Sequence, residues 1–169
     1  MIEFVHAKPD HAAKVLEFLA EIHKEKLLTL NRMTKLPSEQ REREWLKKFD
    51  GGKGFGMMAM ENDHIVGFLH AEVLQPKELS GNCEFGLSIL ANYRRRGIGT
   101  RLIQEVEDWA WAKGVTRMEL GVYSNNEAGI LMYEKLGYQV DGRRVDAVRL
   151  WNGDRADIIH MYKFLSDPE

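Results

Sequence analysis

Apolar side chains recur along this chain with two periods, and the places where the period changes divide it into elements. Ile2 to His6 alternate as in a short strand, and Lys8-Pro9-Asp10 supplies a turn and a helix start. Val15, Leu16, Phe18, Leu19 and Ile22 then fall at helical spacing. Leu36-Pro37-Ser38 predicts a second helix with Ser38 as N-cap, running through Trp45 to Phe49 and stopped by Asp50-Gly51-Gly52. The stretch 26–35 between them is expected as an exposed connection, of the kind that often shapes a substrate mouth.

Two apolar runs, Phe55 to Met60 and Ile65 to Val73, flank the turn Glu61-Asn62-Asp63-His64 and predict a hairpin. In a third strand, Asn82 to Leu90, the side chains of Cys83, Phe85, Leu87 and Ile89 share one face, and Glu84, Gly86 and Ser88 the other. Ile98, Leu102, Val106, Trp109 and Ala110 then mark a helix ended by Gly114. A strand over Arg117 to Val122 follows, then a short helix over Asn126 to Leu136 closed by Gly137, then a strand from Tyr138. Val145 to Trp151 and Ala156 to Leu165 flank Asn152-Gly153, a two-residue hairpin signal. The expectation is one α/β domain over 1–169 with a mixed sheet.

Composition narrows the function. Hydrophobic residues at 44% and charged residues at 30% are those of a globular chain, and no apolar run approaches a membrane span. The opening residues lack a secretory signal pattern, so a cytoplasmic enzyme is the expectation, without membrane partners. A net charge of −2 gives no overall footprint for nucleic acid, so any polyanion site is local. Cys83, the lone cysteine, reads as a small buried side chain, and the six histidines show no metal spacing, so no metal is expected. The charged stretch containing Glu39, Arg41, Glu42, Arg43 and Glu44 reads as solvated surface.

The informative junction is Ser88 to Thr100, where a strand passes into a helix through Arg94-Arg95-Arg96-Gly97-Ile98-Gly99. A helix start leaves peptide N–H groups unpaired with a partial positive charge. Glycines permit close approach and arginines add charge-assisted bonds, so the segment suits a diphosphate. A Walker A loop would need Gly-Lys-Ser/Thr, and a dinucleotide fingerprint would need a small residue where Leu102 stands.

Arg94-x-x-Gly97-x-Gly99 between strand and helix resembles the acetyl-CoA signature of the GCN5-related N-acetyltransferase family. Asn125-Asn126-Glu127-Ala128 followed by Leu131 to Tyr138 resembles that family's second signature at the expected distance. The resemblance is specific over Cys83 to Gln139. It implies a single-domain fold with a central mixed, mostly antiparallel sheet flanked by helices, and with splayed central strands. It implies a cofactor core over about 82–139 and acceptor-shaping helices over about 10–49. In that family the loop amides hold the cofactor diphosphate, which maps onto Arg95, Arg96, Gly97, Ile98, Gly99 and Thr100, with Arg94 opening the motif. Leu87 to Ile89 would offer backbone groups to the pantetheine arm, and Asn126 would contact the cofactor or cap its helix.

Tyr133 matches the family's general acid, and a phenol with a pKa of about 10 keeps its proton at neutral pH. The attacking ammonium must lose a proton; Glu84 is the candidate base, directly or through water, with Glu72 and His70 as others. The implied reaction is transfer of an acetyl group from acetyl-CoA to a primary amine of a small molecule, both bound together. Acetylation of a protein N-terminus or lysine, or a non-catalytic acyl-CoA sensor, are the alternatives. The acceptor pocket would come from Ile22 to Phe49, the loop near Gln75 to Asn82 and the final hairpin, and dimers are common in the family.

Overall fold

The structure, a computed structural model, describes residues 1–25, 35–79 and 81–166. Almost all of the connection expected at 26–35 lies outside the described residues. The strands are β1 (Glu3–His6), β2 (Gly54–Glu61), β3 (His64–Val73), β4 (Asn82–Ile89), β5 (Arg117–Tyr123), β6 (Gln139–Arg149) and β7 (Arg155–Phe164). The helices are α1 (Ala12–Lys24), α2 (Glu39–Asp50), α3 (Ile98–Ala112) and α4 (Glu127–Lys135).

All seven strands form one sheet in the order β1-β2-β3-β4-β5-β7-β6, and only β4 and β5 pair in parallel. The parallel step follows from connectivity, since α3 carries the chain back to the end of the sheet where β4 began. Tight antiparallel turns make the rest. Asn62 and Asp63 both adopt positive φ (50° and 68°) between the paired Glu61 and His64, the geometry that matches strand twist in a two-residue hairpin.

Helices cover both faces. On one, Phe49 of α2 lies against Gly54 and Gly56, and Trp45 meets Phe68 and His70 edge-on. On the other, Trp109 of α3 packs on Phe55, and Tyr133 of α4 on Phe85. Double coverage explains why Gly54 to Met60 of β2 are all buried rather than alternating. Ser38 caps α2 as the sequence predicts, its Oγ accepting from the Arg41 N–H at 3.3 Å.

Two expectations are corrected at the C-terminal end. The segments begun at Tyr138 and Val145 are one strand, β6, whose pairing with β7 shifts at two places, with Asp146 at φ 54° in the second. Its turn is also longer than Asn152-Gly153. Leu150 donates to the Asp154 carbonyl at 2.7 Å, leaving Trp151, Asn152 and Gly153 as the loop, with Gly153 at φ 92°.

Candidate active site

The sheet splits at its centre. β4 stays paired to β3 from Cys83 to Ile89, but pairs with β5 only over Asn82, Cys83 and Glu84. Beyond that point β5 keeps β7 as its partner out to Tyr123, and the β4 backbone from Phe85 onward faces a gap. A cavity of about 1080 Å³ occupies it, lined by Phe85, Gly86, Leu87 and Ser88 from β4 and Gly121, Val122 and Tyr123 from β5. Peptide groups on a strand edge need partners. An extended, amide-bearing chain can supply them as an added strand would.

At the far end of β4, a single 3-10 turn (Ala91–Tyr93) leads into α3. Arg95 and Gly97 take the left-handed conformation at φ 58° and 79°, which turns successive peptide planes outward. From Arg95 through Thr100, the N–H groups donate to no acceptor among the described residues; the first helical bond is Arg101 N–H to the Gly97 carbonyl at 3.0 Å. The two glycines do different work. A Cβ on Gly97 would meet nothing, so its hydrogen is needed for backbone conformation. On Gly99 it would lie 3.1 Å from Met132 and 3.2 Å from Ile89, so this glycine lets α3 sit close against β4 and α4. The concentration of unpaired N–H groups at a helix start fits a diphosphate.

The three arginines separate as well. Arg94 is turned toward α1, its Nη2 2.8 Å from Glu25 and its Nε donating to the Ile89 carbonyl at 2.9 Å. Glu25 in turn accepts from the Ala91 N–H at 2.7 Å, so Arg94 and Glu25 fasten the loop to the end of α1. The Arg96 guanidinium lies 5.0 Å from the Tyr93 ring centroid, and Arg95 is exposed. Arg95 and Arg96 are thus the side chains of the three turned away from protein carboxylates.

Tyr133 enters the cavity from the opposite face of the sheet, through the split. Its ring is wedged against Phe85 and Tyr138, and its hydroxyl has no hydrogen-bond partner among the described residues. Burial pushes its pKa up to about 12. The phenol therefore remains protonated. Asn126 caps α4, its Oδ1 accepting from Gly129 N–H at 3.0 Å, and it also lines the cavity. Leu87 lines it too, while Ile89 contributes from behind through its contact with the Gly99 position.

Glu84 stands in a rung of three carboxylates, opposite Glu72 on β3 and Glu119 on β5. Lys48 pairs with Glu72 at 3.2 Å and Arg117 with Glu119 at 2.8 Å. Glu84 is exposed and lies outside the cavity lining, two residues from Gly86 on the same strand face. His70 is inside the lining; a Cβ on Gly86 would lie 2.8 Å from its Nε2. Desolvation holds its pKa below the ordinary value, so the imidazole is neutral at pH 7. Cys83 is fully buried with its thiol pushed up to about 12 by desolvation, as suits an unreactive core residue.

The residue missed by sequence reasoning is Glu42. Far from being solvated with its charged neighbours, it is 5% exposed and lines the cavity beside Trp45. The signal was present in its position, because Glu42 shares the helical stripe of Trp45, Leu46 and Phe49, and a carboxylate on an apolar stripe is the anomaly to notice.

A model of the acetyltransferase (GNAT) family matches residues 16–138. Among curated relatives, an L-amino acid N-acetyltransferase of Escherichia coli is 28% identical over 107 residues, 62% of this chain and 65% of the relative. The match thus spans just under two thirds of that relative's length. A GNAT acetyltransferase structure from Streptococcus pneumoniae superposes with a TM-score of 0.87 at 23% identity, covering 98% of this chain and all of the other. The Salmonella typhimurium protein yncA, solved with its cofactor acetyl-CoA, gives 0.82 at 17% identity, covering 99% and 95%. The family match takes in β4, the turn of unpaired amides and Tyr133 in one unbroken stretch, and the chain belongs to the acetyltransferase (GNAT) family.

Proposed function

We propose that this acyltransferase moves an acetyl group from acetyl-CoA to a primary amine of a small molecule, with both bound in the split between β4 and β5. The observation that carries the reading is the cavity itself, which joins an unpaired strand edge to a buried phenol that makes no hydrogen bond among the described residues. The amides of Arg95 to Thr100 would hold the diphosphate, with Arg95 and Arg96 adding charge and Leu87 to Ile89 facing the pantetheine arm. Bound there, acetyl-CoA supplies an acetyl group already activated as a thioester. The E. coli relative is named for L-amino acids and a Salmonella typhimurium relative, 29% identical over 95 residues, for the alanine of ribosomal protein bS18, so the relatives include both small and protein acceptors.

Tyr133 is proposed to protonate the departing sulfur. A phenol near 12 is a weak donor toward a thiolate in water, whose conjugate acid has a pKa of about 8.5. Desolvation raises both acids in the same dry cavity, so the mismatch shrinks where transfer takes place. At the other side, a lysine-like ammonium must be deprotonated before it attacks. His70, neutral and facing the cavity, is the better placed base; Glu84 can serve through water from the cavity's margin. Tyr133→Phe should lower kcat by about 10²-fold or more, the usual contribution of a general acid, with acetyl-CoA affinity unchanged by calorimetry. Full turnover in that variant, read by thiol release with a panel of small amines and peptides, removes Tyr133 from the role.

A further inference from the structure

Glu42 is a buried carboxylate that pairs with no cation among the described residues. Its Oε1 has no hydrogen-bond partner among the described residues, and it makes no ion pair there with the four basic residues of its own helix: Arg43 turns to Asp10 and Glu39, Lys47 to Glu44 and Lys48 to Glu72, while Arg41 is exposed. Removing an ionised group from water without pairing it is among the costlier arrangements a fold can keep. Aromatic side chains share the cavity lining with it. Trp45 follows one turn later on the same helix, its ring edge-on to Phe68 at 6.0 Å, and Phe18 of α1 joins the same cavity wall. A carboxylate beside aromatic faces is the chemistry that recognises an organic ammonium.

We infer that the acceptor carries a second, non-reacting positive charge, held by Glu42 and its aromatic neighbours while the reacting amine lies at the β4–β5 split, as in an α,ω-diamine. The inference rests on the N-acetyltransferase reading and names its substrate class. The reacting nitrogen must be neutral when it attacks, and a carboxylate that keeps an ammonium charged would oppose attack at that nitrogen. The charge answering Glu42 therefore belongs elsewhere on the acceptor. Arg41 and Lys35 also line the cavity, but both are exposed. Left unpaired in water they cost little, so they call for an anion far less strongly than Glu42 calls for a cation.

The test compares 1,4-diaminobutane and its longer homologues with butylamine and 4-aminobutanoate, on wild type and Glu42→Gln. Thiol release should favour diamines over butylamine by about tenfold or more in kcat/KM, a preference that Glu42→Gln abolishes through the diamine KM. Melting supplies a readout independent of turnover. Burial raises the Glu42 pKa above its unfolded value of 4.5, so the destabilisation from its charge is absent below 4.5 and complete above the raised value. Glu42→Gln should thus melt higher than wild type at neutral pH, with the gap closing as pH falls toward 4.5. His23, Lys35, Arg41 and His70 face the same cavity and remain in both proteins, so the difference isolates Glu42. Adding a diamine should raise the wild-type melting temperature and not that of the variant.

Diamines no better than butylamine, a preference for 4-aminobutanoate, or a diamine preference that survives Glu42→Gln would overturn the inference. So would an equal loss of kcat on mono- and diamines, which would place Glu42 at the reacting nitrogen. If amines are acetylated with no dependence on Glu42, the subsite falls and the transferase reading stands. Should diamines stabilise the protein through Glu42 while no amine is acetylated, the cation site stands and the transfer reading falls.

Discussion

The amide turn after β4 and the α2 side of the cavity are built by different means. At the β4–α3 junction the outward-facing groups are peptide N–H groups of consecutive residues, and their aim follows from how the chain turns at Arg95 and Gly97. At the α2 end they are side chains drawn from separate elements: Glu42 and Trp45 from α2, Phe18 from α1, Phe68 and His70 from β3. A backbone site is insensitive to most substitutions within it but intolerant of a changed φ. A side-chain site can be rewritten one residue at a time without disturbing the fold. One end suits a ligand shared by a whole family, and the other suits an acceptor that differs among members.

Proton removal should expose the contrast most strongly, because it depends on side chains alone. His70→Gln is expected to lower kcat/KM by about 10²-fold, whereas Glu84→Gln, at the cavity's margin, should cost less. The pH profile gives the sign. Burial lowers the His70 pKa from 6.5, so the base is competent at pH 7 and its activity declines only as pH drops through that lowered value. The same shift makes His70 contribute a loss of stability as pH falls from 6.5 toward its lowered value, where the unfolded chain takes up a proton that the buried imidazole resists. A larger loss in Glu84→Gln would return the role to the glutamate.

At the backbone end, Gly97→Val should raise the acetyl-CoA Kd about tenfold or more while the acceptor KM stays near wild type. The new side chain has open space, so sterics with neighbours are not the cause. The cost is conformational, about 1–2 kcal/mol to hold a non-glycine residue at φ 79°, and relaxing that strain turns the amides away from their common focus. Calorimetry with CoA reads the effect directly, and an unchanged Kd would take Gly97 out of the diphosphate site.

This difference also governs what the sequence makes legible. The order of elements and a mixed sheet follow from periodicity, and the split was implied by the family resemblance that two contiguous motifs carry, because β4, its turn and α3 are consecutive in the chain. Arg94 was grouped with the diphosphate arginines by adjacency, but its partner Glu25 lies 69 residues away, a pairing no local pattern encodes. The shifted pairing of β6 hid a single strand behind two fragments, since a shift of register reverses which side chains face the core. Glu42 was lost among charged neighbours because composition registers charge, whereas burial depends on which stripe of α2 faces the cavity.

The smallest effect tests whether the α2 end is a separable unit. Ser38 sits outside the helix and touches its first turn, with its Oγ accepting from Arg41 N–H and Arg41 followed directly by Glu42. Ser38→Ala should cost about 1 kcal/mol, the usual worth of an N-cap, and lower the melting temperature by about 2–4 °C per kcal/mol in a domain of this size. Fraying of that turn loosens the backbone that positions Glu42, so the acceptor KM should rise severalfold. The amides at Arg95 to Thr100 belong to another helix on the other face of the sheet, and acetyl-CoA affinity should hold. If Ser38→Ala weakens both ligands equally, the two ends are coupled through the sheet, and the division between a backbone site and a side-chain site describes their construction but not their energetics.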